Sequence, residues 1–209
     1  MMKEKQMSLP DLDDGILDPD PIKQFNVWFS LVMDSDAKLP DAVSLATATG
    51  SGRPSVRTVL LKRADANGFV FYSNYESRKG AELAENPFAA LGFHWPAFDR
   101  AVRVEGPVER LSREESERYF ATRPRESQLS SLTSAQSRVV PSREDLDRRY
   151  EELRRDLEGK PIPCPSYWGG YLLKPVRIEF WQQRFARLND RIEYTRSGDG
   201  RWGMVRLAP

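Results

Sequence analysis

Short segments with the composition of β-strands, separated by turn signals, recur along most of this 209-residue chain. They are rich in β-branched and aromatic residues, which pack well on a pleated surface. Gly-, Pro- and Asn-containing turns join several of them at hairpin spacing, which predicts antiparallel pairing. The predicted strands lie at residues 42–49, 55–65, 69–74, 88–95, 101–111, 167–183, 190–198 and 201–209.

Four segments have the apolar periodicity or the capping residues of helices. The first begins at Pro21, a residue that suits the first turn of a helix. Ser112 with Glu115 three residues later forms a capping-box pattern. The predicted helices lie at residues 21–34, 76–87, 111–124 and 142–160, and the polar stretch 125–142 is predicted to be a loop.

Strand pairs with helices between them indicate an α+β fold built on one antiparallel β-barrel. No internal repeat or low-complexity linker divides the chain. We therefore predict a single domain over residues 20–209. Residues 1–19 are polar, acidic and interrupted by Pro, and are predicted to form a mobile N-terminal segment.

Charge and composition disfavour some classes of protein and exclude others. The net charge of +1 lacks the basic excess of a typical nucleic-acid binder. With one cysteine, Cys164, and one histidine, His94, the chain can form no internal disulfide, cysteine metal cage or multi-histidine metal site. No apolar segment is long enough to span a bilayer, so we expect a cytoplasmic protein without a metal, whose chemistry is carried by a cofactor.

Two segments are typical of anion sites. Residues 57–62, RTVLLK, predict a strand that is apolar at its centre and cationic at both ends, with alternate side chains on opposite faces. Residues 71–80, FYSNYESRKG, place Arg78 and Lys79 in the first turn of a helix, where they oppose the helix dipole. A phosphate bound at that terminus would explain the cations, and solvated side chains are the alternative for both segments.

A third cationic region is the segment WQQRFARLNDRIEYTR, residues 181–196. Its aromatic and β-branched residues suit strands rather than a helix. Guanidinium groups along strands bind planar or phosphorylated anions, although arginines on a solvated edge strand also discourage aggregation. The segments YFATRPRES, residues 119–127, and SAQSR, residues 134–138, add polar side chains near a helix end and in a loop.

Together, the segments RTVLLK, FYSNYESRKG, YFATRPRESQ, SAQSR, PSYWGGY, IEFWQ and RLNDR, with the final RLAP, resemble the pyridoxamine 5′-phosphate oxidase family. The resemblance extends in order over about residues 18–209. It implies a Greek-key-like FMN-binding split β-barrel and a homodimer with FMN at the subunit interface. It also implies oxidation of pyridoxamine or pyridoxine 5′-phosphate to pyridoxal 5′-phosphate, with O2 reduced to H2O2.

The resemblance assigns candidate roles residue by residue. Gln136 and Ser137 are expected from the partner subunit, with Trp181 and Arg191 nearer the flavin ring. Arg187 and Asn189 would position the substrate, whereas Arg184 and Arg196 are expected to be solvated. The implied FMN-binding residues are Arg57, Thr58, Val59, Leu60, Leu61, Lys62, Tyr72, Ser73, Arg78, Lys79, Gln136, Ser137, Trp181 and Arg191, and the implied substrate-binding residues are Lys62, Tyr119, Arg123, Ser127 and Arg187.

The chain departs from the family pattern near the substrate ring. Asn189 replaces the usual histidine of the RLHDR motif, Ala101 replaces a glutamine, and the N-terminal segment is acidic instead of basic. Asparagine can hydrogen-bond but cannot take up a proton near neutral pH. Two alternatives therefore stay open: an oxidase of a secondary metabolite such as a dihydrophenazine, or a non-catalytic carrier of flavin or pyridoxal phosphate.

Overall fold

The computed structural model of the protein describes Leu12, Gly15 and residues 17–209. This part of the chain forms five α-helices and nine β-strands. The helices are α1 (Pro21–Met33), α2 (Arg78–Glu85), α3 (Arg113–Thr122), α4 (Arg125–Thr133) and α5 (Arg143–Asp156). The strands are β1 (Ala42–Ala48), β2 (Pro54–Asp65), β3 (Gly68–Asn74), β4 (Phe88–Trp95), β5 (Arg100–Arg110), β6 (Trp168–Leu173), β7 (Arg177–Gln182), β8 (Asp190–Arg196) and β9 (Trp202–Arg206).

Six strands close into an antiparallel barrel. They are hydrogen-bonded in the order β4-β1-β2-β3-β6-β5, and pairing of β5 with β4 completes the ring. The return of β4 to lie beside β1, after the β1–β2–β3 meander, gives the strand order of a Greek key. The predicted α+β fold with an antiparallel barrel and peripheral helices is confirmed.

Strand β5 divides its second edge between two partners. Residues 100–105 pair with β7, whereas residues 108–110 pair with β6. Strands β8 and β9 continue the sheet beyond β7. The three C-terminal strands, β7 to β9, therefore form a wing that leaves the barrel along β5.

Helix α1 packs its apolar face on the barrel core. The carboxylate of Asp20 caps its N-terminus, accepting a hydrogen bond from the Ile22 amide at 2.9 Å. Phe25 is fully buried, and its ring centroid lies 4.9 Å from those of both Phe69 and Phe93. Aromatic rings therefore form the contact between α1 and the barrel core.

Helix α4 corrects the loop predicted over residues 125–142, because residues 125–133 are helical. The segment RESQLSSLT buries only Leu129 and Thr133, so its sequence carries almost no apolar period. Leu129 packs in a second apolar cluster with Phe120 and Trp168, and this tertiary contact selects the helix. None of the helices between residues 17 and 209 is long and apolar enough to cross a membrane.

Most of the predicted mobile segment, residues 1–19, lies outside the described residues. Leu12 is 3% exposed and belongs to the barrel core. The carbonyl of Asp18 accepts a hydrogen bond of 2.9 Å from the Tyr194 hydroxyl. These contacts attach the chain before α1 to the core and to β8.

We predict that Phe25→Ala lowers the free energy of unfolding by about 3–5 kcal/mol, because it removes a fully buried ring and leaves a cavity among other rings. Urea unfolding of the apoprotein, followed by tryptophan fluorescence, measures the change. Val27→Ala on the same helix is the control, since Val27 is 56% exposed. Equal losses from both variants would contradict the packing of α1 described above.

Candidate functional site

A cleft of about 850 Å³ opens between β2, the start of α2 and the polar face of α4. It brings together most of the residues implicated by the sequence. Leu61 is the exception on β2, because it is 3% exposed in the barrel core and does not line the cleft. The implicated residues that line the cleft are Arg57, Thr58, Val59, Leu60, Lys62, Tyr72, Ser73, Arg78, Lys79, Tyr119, Arg123, Ser127, Gln136 and Ser137.

The strand alternation predicted for RTVLLK is present in β2. Val59 and Leu61 are buried in the core, whereas Thr58, Leu60 and Lys62 are exposed on the other face. Residues from both faces of β2 line the cleft, Arg57 and Val59 as well as Thr58, Leu60 and Lys62, and Lys62 lies towards the end of the strand.

Lys79 places a buried ammonium group at the start of α2. Its side chain is cationic and the residue is only 6% exposed. Nζ donates hydrogen bonds to Ser73 Oγ at 3.0 Å, to Ser77 Oγ at 3.1 Å and to Gln136 Oε1 at 2.9 Å. All three acceptors are neutral, and no carboxylate among the described residues lies within ion-pair distance of Nζ. Burial and the nearby Arg57 lower the pKa of Lys79 to about 8, although Glu82 opposes this change.

Ser77 caps α2 and completes this polar cluster. Its hydroxyl accepts a hydrogen bond from the Gly80 amide and donates one of 2.7 Å to the Asn74 carbonyl. At the same helix end the Arg78 amide donates to Ser137 Oγ at 3.2 Å. The hydroxyl oxygen of Ser137 thus occupies the position that a phosphate oxygen takes at a helix N-terminus.

Gln136 and Ser137 are supplied to this cleft by the same chain. The expectation that they come from a partner subunit is therefore corrected. The physical reason is helix α4, which carries the chain from Arg123 back to the start of α2 and leaves Ser137 there with a left-handed φ of 69°. A loop in place of α4 would not define this return.

Glu82, on the buried face of α2, is a carboxylate that accepts four hydrogen bonds. It is 4% exposed. Its donors are Thr47 Oγ1, Ser55 Oγ at 2.6 Å, Arg57 at 3.1 Å and Arg78 Nε at 2.9 Å. Burial raises the pKa of Glu82, but the hydrogen bonds outweigh it and hold the pKa at about 2. The carboxylate is therefore ionised and paired with two arginines of the cleft.

A stack of aromatic rings forms another wall. The ring centroids of Tyr72 and Tyr119 lie 3.9 Å apart, and Trp168 lies 5.4 Å from Tyr72 on nearly parallel planes. The Arg123 guanidinium lies over Trp168 at 4.6 Å and donates a hydrogen bond of 2.8 Å to Ser131 Oγ. Burial raises the pKa of Tyr72 to about 12, so its hydroxyl remains protonated at neutral pH.

Lys62 and Ser127 add an ammonium group and a hydroxyl to the same cleft. Lys62 Nζ forms an ion pair of 2.6 Å with Asp41 and is partly exposed. Ser127 lies in the first turn of α4 and lines the cleft. Lys62, Tyr119, Arg123 and Ser127 thus come from β2, α3 and the α3–α4 junction to one region.

The implicated residues of the C-terminal wing do not line this cleft. Trp181 lies on β7, and Arg191 pairs with it across β7 and β8. Arg191 binds Glu179 through two hydrogen bonds of 3.0 and 2.9 Å. Arg187 is exposed in the loop between these strands.

That loop has an unusual backbone. Ala186 and Arg187 both have left-handed φ values, 56° and 63°, which are costly for residues with a side chain. The side chain of Phe185 is 95% exposed. Asn189 closes the loop by accepting a hydrogen bond of 3.0 Å from the Arg184 amide.

Two arginines of this region, Arg184 and Arg196, were expected to be solvated. Arg184 instead forms an ion pair with Asp190, which stabilises the same loop. Arg196 is exposed, as expected. Ala101 is 7% exposed between His94 of β4 and Trp181 of β7, so the glutamine of the family pattern is replaced next to Trp181.

Several residues of the cleft were missed from the sequence. The α4 hydroxyls of Ser130, Ser131 and Ser134 line it, as does Trp168. The burial of Glu82 was also missed, because nothing in the local sequence AELAEN indicates that this acidic residue is buried. Its helical spacing from Arg78, four residues earlier, is the one available indication.

Two family models match this chain. A family model described as pyridoxamine 5′-phosphate oxidase matches residues 36–155. A second, described as the pyridoxine 5′-phosphate oxidase C-terminal dimerisation region, matches residues 168–209, which include the wing. The match supports a homodimer.

Similar curated proteins are named pyridoxine/pyridoxamine 5′-phosphate oxidase. That of Rubrobacter xylanophilus is 55% identical over 197 residues, which cover 94% of this chain and 90% of the relative. That of Crocosphaera subtropica is 49% identical over 195 residues, covering 92% and 91%.

Solved structures agree with the fold. PhzG from Burkholderia lata, in complex with tetrahydrophenazine-1-carboxylic acid, superposes with a TM-score of 0.90 at 29% identity, covering 97% of this chain and 98% of that one. A pyridoxamine 5′-phosphate oxidase-related, FMN-binding protein from Nostoc punctiforme reaches a TM-score of 0.73 at 16% identity, covering 92% and 100%, which shows a shared fold. Because two family models match this chain and its curated relatives are about 50% identical to it, the chain belongs to the pyridoxamine 5′-phosphate oxidase family of oxidases.

Proposed function

We propose that this protein is an FMN-dependent oxidase that converts pyridoxamine or pyridoxine 5′-phosphate to pyridoxal 5′-phosphate, with O2 as the electron acceptor. The observation that carries the proposal is a pair of cationic groups on one cleft. One contains Arg57, Arg78 and Lys79, and the other contains Lys62 and Arg123. Since Arg57 and Lys62 are five residues apart on β2, their Cα atoms are separated by roughly 16 Å. Two phosphorylated ligands, a flavin nucleotide and a phosphorylated vitamer, suit this arrangement.

The first group fits the phosphate of FMN. A buried lysine whose only hydrogen-bond acceptors are neutral is costly unless an anion neutralises it. The Lys79 ammonium, the Ser73 and Ser77 hydroxyls and the start of α2 offer charge-assisted hydrogen bonds to such an anion. In this proposal the flavin nucleotide is surrounded by residues that line the cleft, whereas Leu61 lies behind them in the core: Arg57, Thr58, Val59, Leu60, Lys62, Tyr72, Ser73, Arg78, Lys79, Gln136 and Ser137.

The second group fits the phosphate of the substrate. Arg123 is oriented from both sides, by the Trp168 ring and by Ser131, so its planar fork is held ready for an anion. Lys62 adds an ammonium group, which pairs with Asp41 in the free protein, and the hydroxyls of Tyr119 and Ser127 add neutral donors. We assign the substrate phosphate to these four residues.

The wing residues act, in this proposal, across a homodimer interface. Trp181, Arg187 and Arg191 lie outside the cleft of their own chain, within the region that matches the dimerisation model. A partner chain that brings its wing against the cleft would place Arg187 and Asn189 near the substrate ring. Trp181 and Arg191 would then lie near the flavin.

The residues of the chain contribute binding, orientation and exclusion of water. When bound, FMN supplies the acceptor for the hydride that leaves C4′ of the substrate and passes the electrons to O2, giving H2O2. Lys62 and Arg123 hold the far end of the substrate, which limits its motion and aligns C4′. Asn189 can only hydrogen-bond, so in this proposal the proton that the C4′ hydroxyl or amine loses passes to water.

A second candidate is oxidation of a reduced phenazine-type acid. It is favoured by the match to PhzG over nearly the whole chain and by the absence of the family histidine at Asn189. Identity to PhzG is 29%, however, against 55% to the Rubrobacter relative. A carboxylate substrate also does not need four residues arranged for a phosphate.

We predict that pyridoxamine 5′-phosphate, added anaerobically to the FMN-loaded protein, bleaches the flavin absorbance, and that air restores it. Unphosphorylated pyridoxamine at the same concentration is the control, and it should bleach the flavin far more slowly because it lacks the group that Arg123 and Lys62 bind. Bleaching by a dihydrophenazine acid alone would favour the second candidate. No bleaching by either would favour a carrier.

We predict that Arg187→Ala raises the KM for pyridoxamine 5′-phosphate roughly 10- to 100-fold, as expected for loss of a charged contact, and leaves the FMN affinity unchanged. Steady-state oxidase kinetics and FMN titration measure the two quantities. Arg196→Ala is the matched control, because Arg196 is an exposed arginine of the same wing. An unchanged KM for Arg187→Ala would show that the loop does not reach the substrate.

We predict that FMN binds most tightly between about pH 6 and pH 8. Below about pH 6 the phosphate loses its second charge. Lys79, with a pKa of about 8 in the free protein, is protonated below that value and loses its charge as the pH rises through it. Phosphate binding favours the ammonium, so above pH 8 the affinity falls by up to about tenfold per pH unit.

Quenching of flavin fluorescence on binding measures this profile. In Lys79→Met the affinity should be lower at pH 7 and the decrease above pH 8 should disappear. A decrease above pH 8 that persists in this variant would assign the titration to another group. The affinity for riboflavin, which lacks the phosphate, should decrease neither below pH 6 nor above pH 8.

A further inference from the structure

We infer that Glu82 is a positioning residue for the flavin phosphate, because its buried carboxylate holds Arg57 and Arg78 in the orientation that the phosphate meets. The inference rests on the proposed FMN site. Glu82 itself is not among the residues that line the cleft, whereas both arginines are. It acts through them.

The carboxylate joins three elements at one point. Thr47 lies on β1, Ser55 and Arg57 lie on β2, and Arg78 lies on α2 with Glu82 itself. All four side chains donate to Glu82, three of them to the same oxygen, Oε2. Burying a carboxylate is costly, and four donors at this site offset that cost. The α2 N-terminus is thereby attached to β2 beside the cleft.

Both terminal nitrogens of Arg57 are held in place by hydrogen bonds. Its guanidinium donates to the Leu45 carbonyl at 3.2 Å, to Thr47 Oγ1, to Ser55 Oγ and to Glu82. Arg78 is held through Nε alone, and its side chain is 64% exposed. Between residues 17 and 209, no side chain bonds to the two terminal nitrogens of Arg78. Those nitrogens are available for an anion.

The charge of the cluster matches the proposed ligand. Arg57, Arg78 and Lys79 are three cations, and Glu82 is one carboxylate, which leaves a net charge of +2. A phosphate monoester carries a charge close to −2 above its second pKa of about 6. Without Glu82 the three cations would repel one another, and Arg78 would turn towards solvent.

The test compares FMN with riboflavin, which differ by the phosphate. We expect Glu82→Gln to weaken FMN binding roughly tenfold or more, the loss expected for a misplaced charge-assisted contact, and to change riboflavin binding less than twofold. Glu85→Gln is the matched control, because Glu85 is an exposed glutamate of the same helix. It should leave both affinities unchanged.

Other outcomes overturn the inference. Tighter FMN binding by Glu82→Gln would show that Glu82 competes with the phosphate for the arginines. An equal loss for both flavins would show a general structural role. If wild-type protein binds riboflavin as tightly as FMN, the phosphate site itself is wrong, and the role of Glu82 fails with it.

A milder variant keeps the test informative if Glu82→Gln does not fold. Thr47→Val preserves side-chain shape and removes one donor to Glu82 and one acceptor for Arg57. We expect it to weaken FMN binding a few-fold without affecting riboflavin. An unchanged FMN affinity in a folded Thr47→Val protein would contradict the inference.

Discussion

The pairing of β5 with three strands determines where the candidate ligand-binding residues of the wing lie relative to the cleft. On one edge β5 closes the barrel by pairing with β4. On the other edge it pairs with β7 through residues 100–105 and with β6 through residues 108–110. A strand has only two edges, so β7 takes part of an edge that would otherwise belong to the barrel. The wing therefore leaves the barrel, and its arginines lie away from the cleft of their own chain.

Within the cleft, the distribution of charge follows from burial. Lys79 is buried among neutral acceptors, whereas the nearby carboxylate of Glu82 is used to hold Arg57 and Arg78. A buried cation without its own counterion is unfavourable in the free protein. Binding of a phosphate would relieve that unfavourable free energy, and this is the physical basis of the selectivity for a phosphorylated flavin that we propose.

The part of the cleft that we propose for the substrate phosphate orients its arginine by ring packing instead. Tyr72, Tyr119 and Trp168 form a stack, and Arg123 lies on the Trp168 face. Rigid rings limit the rotamers of the arginine at low entropic cost. The departures of this chain from the family pattern lie instead in and beside the wing, at Asn189 and Ala101. In the proposed dimer they would change the ring end of the substrate site and leave both sets of phosphate-binding residues intact.

The sequence by itself determined the α+β class, the strands and most of the residues on the cleft, because strand alternation and helix caps are local properties. RTVLLK and the start of α2 carry their chemistry within a few residues of one another. Tertiary structure decided the remainder. Helix α4 has almost no apolar period and forms because Leu129 packs on Phe120 and Trp168. That helix returns Gln136 to Lys79 in the same chain. Glu82 becomes a buried partner of two arginines only once β1, β2 and α2 meet, since burial and long-range pairing depend on contacts that no local pattern encodes.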